Sequence, residues 1–210
     1  MIRQYKISVP KNTLNNIYKK VKNYPWKMIQ NVNGWEYGTN YNYLKKISQY
    51  WVSKYDWKKF ENKINSFKNY KTNVDGINLH FIKEKSKNPK SRPLLLLHGW
   101  PGSVIEFLDI IPKLAHPEKF GGKIEDGFDV IVPSLPGFGF STPIKKALGP
   151  RKIGKILNKF MVKNLGYKNY VVQGGDWGAT IAGWIGLDSA KSCKGIHINC
   201  LPLRHPKGTK

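Results

Sequence analysis

The 210-residue sequence is 40% hydrophobic and carries seven Trp, eleven Tyr and nine Phe, too much apolar and aromatic surface for a solvated, disordered chain. Its 36 Lys and Arg stand against 13 Asp and Glu, a formal charge of +23, which raises nucleic acid or anionic lipid as partners. Only Arg3, Arg92, Arg151 and Arg204 are arginine, however, and nucleic-acid recognition leans on the bidentate Arg fork. The scattered Lys therefore argue for a solvated surface and against a nucleic-acid binder, with weak membrane-surface attraction as the second reading. The stretch from Leu94 to Ile111 is interrupted by His98, Pro101, Glu106 and Asp109, so it is not expected to span a membrane. Met1 to Pro10 lacks the apolar run of a secretory signal. Cys193 and Cys200, seven apart, suggest neither a disulfide framework nor a metal site, and a reducing compartment fits best.

In chain order, residues 1–92 hold twenty basic and five acidic residues and residues 93–210 hold sixteen and eight, which places a boundary near Pro93. In the first part Tyr43, Leu44, Ile47, Tyr50 and Trp51 recur at helical spacing, and Asp56 stands where an N-cap would open a second helix through Ile64. Ile77, Leu79 and Phe81 then alternate along a strand that follows the Asp75-Gly76 turn signal. From Pro93 onward, apolar runs at Leu94–Leu97, Phe128–Val132, Tyr170–Val172 and Gly195–Ile198 predict strands. Val104–Leu114, Lys152–Leu165 and Ala179–Leu187 predict the helices between them. That alternation is the pattern of an α/β architecture with a parallel sheet covered on both faces.

Three segments carry candidate chemistry. Gln173-Gly174-Gly175-Asp176-Trp177-Gly178-Ala179 follows a strand and opens a helix. Its G-x-D-x-G spacing suits a nucleophile elbow, a cramped turn that demands small neighbours and presents its central side chain to a substrate. With Asp at the centre, the nucleophile would be a carboxylate and the intermediate an ester of the protein. The bland alternative is that Asp176 is an ordinary N-cap. His98-Gly99-Trp100-Pro101-Gly102-Ser103 also follows a strand and resembles an oxyanion-hole loop, with the backbone N–H groups of Trp100 and Trp177 as the predicted donors. The plain alternative is a structural turn with His98 bonded to backbone and both Trp side chains packed in the core. Pro133 to Ser141 contains Gly137-x-Gly139 but lacks the third Gly of a dinucleotide cradle, so it reads as a loop that shapes the site.

With these motifs in this order, the sequence resembles the epoxide hydrolases of the α/β-hydrolase fold, closest to the membrane-associated branch that includes the insect juvenile hormone type. Trp35-Glu36-Tyr37-Gly38, Tyr50-Trp51, Tyr55-Asp56-Trp57, Asp75-Gly76-Ile77 and His80-Phe81-Ile82 extend the likeness through the N-terminal part. The resemblance implies an N-terminal portion of an α/β-hydrolase fold with a helical N-terminal extension: residues 1–92 helical and then the first strand, residues 93–210 a partial core. It also implies attack by Asp176 on an epoxide carbon, opening of the ring with help from two lid tyrosines, and hydrolysis of the resulting ester by a water that an acid-held His activates. The substrates would be a lipophilic epoxide, such as a juvenile hormone or xenobiotic epoxide, and water, and the product a vicinal diol. No cofactor or metal is implied.

The same pattern places the lid, the acid and the His beyond the elbow, and only 34 residues follow Asp176. His197 in an apolar run and His205 in the polar tail read as packing and solvent-exposed residues, and Asp188 as an exposed helix-end residue. The expectation is therefore an incomplete chain that stalls at the ester, with one sheet edge left open to self-association. The endoplasmic reticulum membrane is implied by resemblance alone, since the residues themselves describe a soluble chain without an anchor. Two alternatives are a haloalkane dehalogenase-like hydrolase, which usually has Asn where Trp100 stands, and a noncatalytic binder of hydrophobic ligands.

Overall fold

The computed structural model describes residues 1–29 and 34–200. His205 and Arg204 lie outside the described residues. Packing divides the chain into two units, Met1–Lys6 with Ile64–Lys210, and Ile7–Lys63.

The smaller unit is helical. Helix α1 spans Lys11–Lys22 and α2 spans Tyr41–Ser53, packed on each other. Asn40 caps α2 by accepting the Tyr43 N–H at 3.0 Å. Neither helix has a fully buried residue, and aromatic pairs supply much of the contact instead. Trp26 meets Tyr24 and Tyr41 edge-on at 4.9 and 5.7 Å, and Trp35 meets Tyr43 at 5.2 Å, geometries favoured by the ring quadrupoles. Helix α3, Trp57–Asn65, follows Asp56, whose carboxylate accepts the Lys58 N–H at 2.9 Å. This is the N-cap expected from the sequence.

The larger unit is built on a seven-stranded sheet of β1 (Ile2–Gln4), β2 (Asn69–Val74), β3 (Ile77–Glu84), β4 (Arg92–Leu97), β5 (Phe128–Pro133), β6 (Tyr170–Gly174) and β7 (Cys193–Ile198). Their order across the sheet is β1-β2-β3-β5-β4-β6-β7. The first three are antiparallel, and β3 joins β5 antiparallel. The β5-β4-β6-β7 strip is parallel. Asp75 and Gly76, at φ 52 and 81, make the left-handed turn of the β2–β3 hairpin. The polar strand β2, Asn-Tyr-Lys-Thr-Asn-Val, and the three exposed residues of β1 extend the sheet where no apolar alternation announced it.

The buried parallel strip explains the continuous apolar runs. Leu95, Leu97, Ile131 and Val172 have almost no exposure, because helices cover both faces of such strands. Helix α5, Pro150–Lys159, continues into a wider π-type turn at Phe160–Asn164. It packs on helix α6, Trp177–Asp188, through Ile153, Ile156, Leu157, Ile181 and Ile185 in the main core. The helix expected over Val104–Leu114 is not continuous. A 3-10 turn at Val104–Phe107 and a short α4, Ile111–Ala115, take its place. Pro112 has no N–H to donate to the preceding turn, so it interrupts a helix running through it but fits the first turn of a new one.

Successive strands leave β4 in opposite directions, β5 on one side and β6 on the other. In an open α/β sheet, the crevice outside the carboxyl ends of strands at such a switch is where ligands bind. The register pairs Leu97 with Gly174, so the turns leaving β4 and β6 begin side by side.

Candidate active site

Asp176 occupies the residue before α6 with φ 50 and ψ −120. A side chain at positive φ is strained by Cβ crowding and persists only where its surroundings enforce it. Here glycine neighbours do so. A Cβ on Gly178 would collide with the carbonyl oxygen of Leu97 and lie 2.9 Å from that of His98, and one on Gly174 would collide with the backbone of Gly178. Only bare backbone lets the start of α6 press against the end of β4.

That compression brings the two turns into bonding distance. The Trp100 N–H donates to Asp176 Oδ1 at 2.8 Å across 76 residues of sequence. The Trp177 N–H also bonds the carboxylate, and these two bonds, Trp100 first, hold the Asp176 carboxyl below the usual aspartate range. Gly99 is needed as well, because a Cβ there would come within 2.6 Å of Asp176 Cβ and Oδ1. Asp176 makes no side-chain capping bond to α6, which sets aside the ordinary N-cap reading. Nor are the two tryptophans packed in the core: Trp100 is 68% exposed and Trp177 39%.

His98 is buried, and its ring ties the two loops together. Nδ1–H donates to the Gly99 carbonyl at 3.0 Å and Nε2 accepts the Leu135 N–H at 3.0 Å. Burial pushes its pKa down, with the Gly99 bond opposing, so the ring stays neutral and both nitrogens are committed. The Pro133 to Ser141 loop is thereby anchored to the Trp100 loop, the shaping role its sequence suggested. Its other anchor is His80, also buried, which lies 2.9 Å from Ser134 Oγ and 3.0 Å from Asn69 Oδ1. Burial, and less so the charge of Lys71, depress its pKa to about 3.

Two clefts flank the carboxylate. One, of about 400 Å³, is lined by Gly99, Trp100, Gly102, Glu106, Asp176 and Asn199 among others. The other, of about 580 Å³, has Trp177, Trp184, Pro150 and Thr180 along its wall. Arg151 stacks over Trp184 at 4.6 Å, held there by two 2.8 Å bonds to Asp188. Asp188 is thus the partner of an arginine on α5 and not of a histidine. His197, expected to pack, is instead exposed on β7 beside Gln173, because this strand is only partly covered. The motifs did not single out Glu106, Asn199 and Trp184. The Ser103-x-x-Glu106 spacing of a capping box is the one signal that pointed to Glu106.

The family described as "Epoxide hydrolase N terminus" matches residues 2–107, and the one described as "alpha/beta hydrolase fold" matches residues 92–208. This chain belongs to the epoxide hydrolases of the α/β-hydrolase fold. It is 42% identical over 207 residues to a protein named putative epoxide hydrolase from Stigmatella aurantiaca, a match covering 98% of this chain and 47% of that one. To epoxide hydrolase 1 of Oryctolagus cuniculus it is 37% identical, covering 94% of this chain and 44% of that one. Among solved structures, juvenile hormone epoxide hydrolase from the silkworm Bombyx mori superposes with a TM-score of 0.80 at 33% identity. That superposition covers 95% of this chain and 53% of the silkworm protein. The chain spans about half the length of the curated epoxide hydrolases it matches. No helix among the described residues is long and apolar enough to cross a membrane.

Proposed function

We propose that Asp176 opens an epoxide through a covalent ester, with the Trp100 and Trp177 N–H groups as the oxyanion donors. The observation that carries this reading is the 2.8 Å bond from the Trp100 N–H to Asp176 Oδ1 on a residue forced to φ 50. The bond divides the two carboxylate oxygens by task. Oδ2 is the nucleophile, attacking a ring carbon as the C–O bond of the epoxide breaks. Oδ1 becomes the carbonyl oxygen of the ester, already seated on the donor that would stabilise it as an oxyanion when water adds. Because the donors hold the carboxyl below its usual range, the attacking form is the one populated at neutral pH.

The apolar wall of Trp177, Trp184 and Pro150 suits a lipophilic epoxide, and the product is a vicinal diol. Hydrolysis of the ester needs a base that activates water. His80 and His98 have both ring nitrogens engaged in buried bonds, and His197 stands on β7 away from both clefts. Incubating the chain with a lipophilic epoxide and reading intact mass, with peptide mapping, tests this. The expected result is an adduct of the epoxide's mass on Asp176, absent from Asp176→Asn. Absence of any adduct on the wild-type chain overturns the proposal.

A further inference from the structure

Helix α6 presents one face to the cleft on the Trp177 side of Asp176. Trp177, Thr180 and Trp184 line that cleft, at the spacings of three and four residues that stack side chains along one side of a helix. Ala179, Ile181, Ala182 and Ile185, on the other sides, are buried. From Trp177 to Trp184 the face runs about 10 Å along the helix axis. Gly149 and Pro150, at the start of α5, line the cleft as well. The result is a track that begins at the nucleophile and ends at an indole.

The far end of the track is fixed by a clamp. Asp188 stands one turn beyond Trp184 and accepts Arg151 Nε and Nη2 at 2.8 Å each. Two parallel bonds to one carboxylate set the plane of the guanidinium, and its Cζ lies 4.6 Å over the Trp184 ring, the stacked arrangement in which a cation and an indole attract. The pair is largely exposed, so it adds little to stability. What it controls is where the ring sits, and Asp188 offsets the Arg151 charge at the end of the track. The cleft on the other side of Asp176 offers an apolar tail no comparable surface. Gly99 and Gly102 have no side chains there, and the polar groups of Glu106 and Asn199 would lose water against a hydrocarbon.

We infer that Trp184 sets a chain-length preference at this site: an elongated epoxide lays its apolar tail along α6, and the far end of that tail packs on the Trp184 indole, which Arg151 positions. This role rests on the ester reading above. Carbons next to the epoxide ring meet Trp177 and Thr180, and only a longer tail reaches Trp184. Short epoxides therefore react without help from Trp184, whereas long ones gain from it before the ester forms.

The test compares tail lengths. Wild-type chain, Trp184→Ala and Arg151→Ala are incubated with the terminal epoxides of butane and of decane, each far below saturation, and initial adduct formation is followed by intact mass. Wild type should react about 50-fold faster with the decane epoxide, about twofold for each added CH₂ half-buried on the track. In Trp184→Ala the butane rate should stay within about twofold of wild type, while the advantage of decane falls to about fivefold. Arg151→Ala should fall between the two, and Arg151→Lys, which keeps a cation to stack on the ring, should recover part of the loss. A wild type without chain-length preference, or the same preference in Trp184→Ala, overturns the role of Trp184 while the butane adduct leaves ester formation standing. Failure of wild type to form an adduct with either epoxide overturns the ester reading and this role with it. Should Trp184→Ala not fold, Arg151→Ala, a change at an exposed residue, decides alone, and an unchanged preference overturns the inference.

Discussion

Two helices of this protein start with the same dipeptide, and the two starts do different things. At α3, Asp56-Trp57 begins an ordinary helix: Asp56 accepts the Lys58 N–H two residues on, as an N-cap does. At α6, Asp176-Trp177 stands in the same position relative to its helix, yet the Asp176 side chain makes no capping bond. It is held at φ 50 and accepts the Trp100 N–H from another loop. A carboxylate at a helix start bonds whichever N–H groups the backbone lets it reach. The glycines at 174 and 178, and the end of β4 pressed against them, redirect this one. The flanks of the dipeptide, and not the dipeptide, decide which N–H groups each carboxylate bonds.

The largest break in that comparison is made at the flank. Gly178→Ala puts a methyl group against the Leu97 carbonyl oxygen and near that of His98, atoms of the central strand and its exit that cannot rotate aside. We expect a loss of about 3 kcal/mol or more, or failure to accumulate soluble protein, the range for overpacking combined with backbone displacement. Lys58→Ala, the corresponding exchange at the start of α3, removes the Lys58 partner of the buried Glu61 carboxylate and should cost less, about 1 kcal/mol. Thermal or urea unfolding of both variants checks this. A soluble Gly178→Ala protein of wild-type stability would mean that close approach of α6 to β4 is not what shapes the turn.

This contrast also marks what the sequence could and could not reveal. The parallel strands β4 and β5 were legible because strands buried on both faces are apolar throughout, as at Leu94–Leu97. The elbow was legible because its geometry admits only glycine at fixed places. Strand β2 was not, since Asn69, Lys71, Thr72 and Asn73 pair through backbone without an apolar alternation. The helix expected at Val104–Leu114 failed at Pro112, where an apolar pattern outweighed a missing N–H. At the site, Asp176, Trp100 and Trp177 came from spacing. Glu106 and Asn199 enter the cleft only through tertiary folding, from a turn and from the end of β7. Trp184 faces its cleft through a register on α6 that periodicity alone does not orient.

The second break concerns protonation. Asp176 has a folded-state pKa below its ordinary 3.8 because Trp100 and Trp177 donate to the ionised form. A depressed carboxylate contributes stability that is present above the unfolded value and lost as pH falls through the folded one. Ester formation should therefore stay level with falling pH until below 3.8, then drop about tenfold per pH unit. The rate is read as initial adduct formation by mass. An apparent pKa above 3.8 would show that the two N–H bonds do not govern this carboxylate.

Removing the side chain sharpens the comparison through opposite signs. Asp176→Gly relieves a positive φ that costs a non-glycine residue about 1 to 3 kcal/mol, offset in part by the greater freedom of glycine in the unfolded chain, about 0.5 to 1 kcal/mol. We expect a net gain of about 1 kcal/mol with complete loss of adduct, the exchange of stability for activity that strained sites show. A loss of stability would mean that the Trp100 bond outweighs the strain.

At α3 the sign reverses and the size shrinks. Asp56→Ala removes the acceptor of the Lys58 N–H and should cost about 0.5 to 1 kcal/mol, toward the low end for caps because the N–H it frees is solvent-exposed. Asp56→Ser should recover most of that loss, since the hydroxyl accepts the same bond. Adduct formation should match wild type in both variants, the Asp56 carboxylate having a structural task only. Chemical unfolding of the pair measures the first effect and intact mass the second. If Asp56→Ala abolished the adduct while remaining folded, the two Asp-Trp starts would share a task, and the division drawn between capping and chemistry would fail.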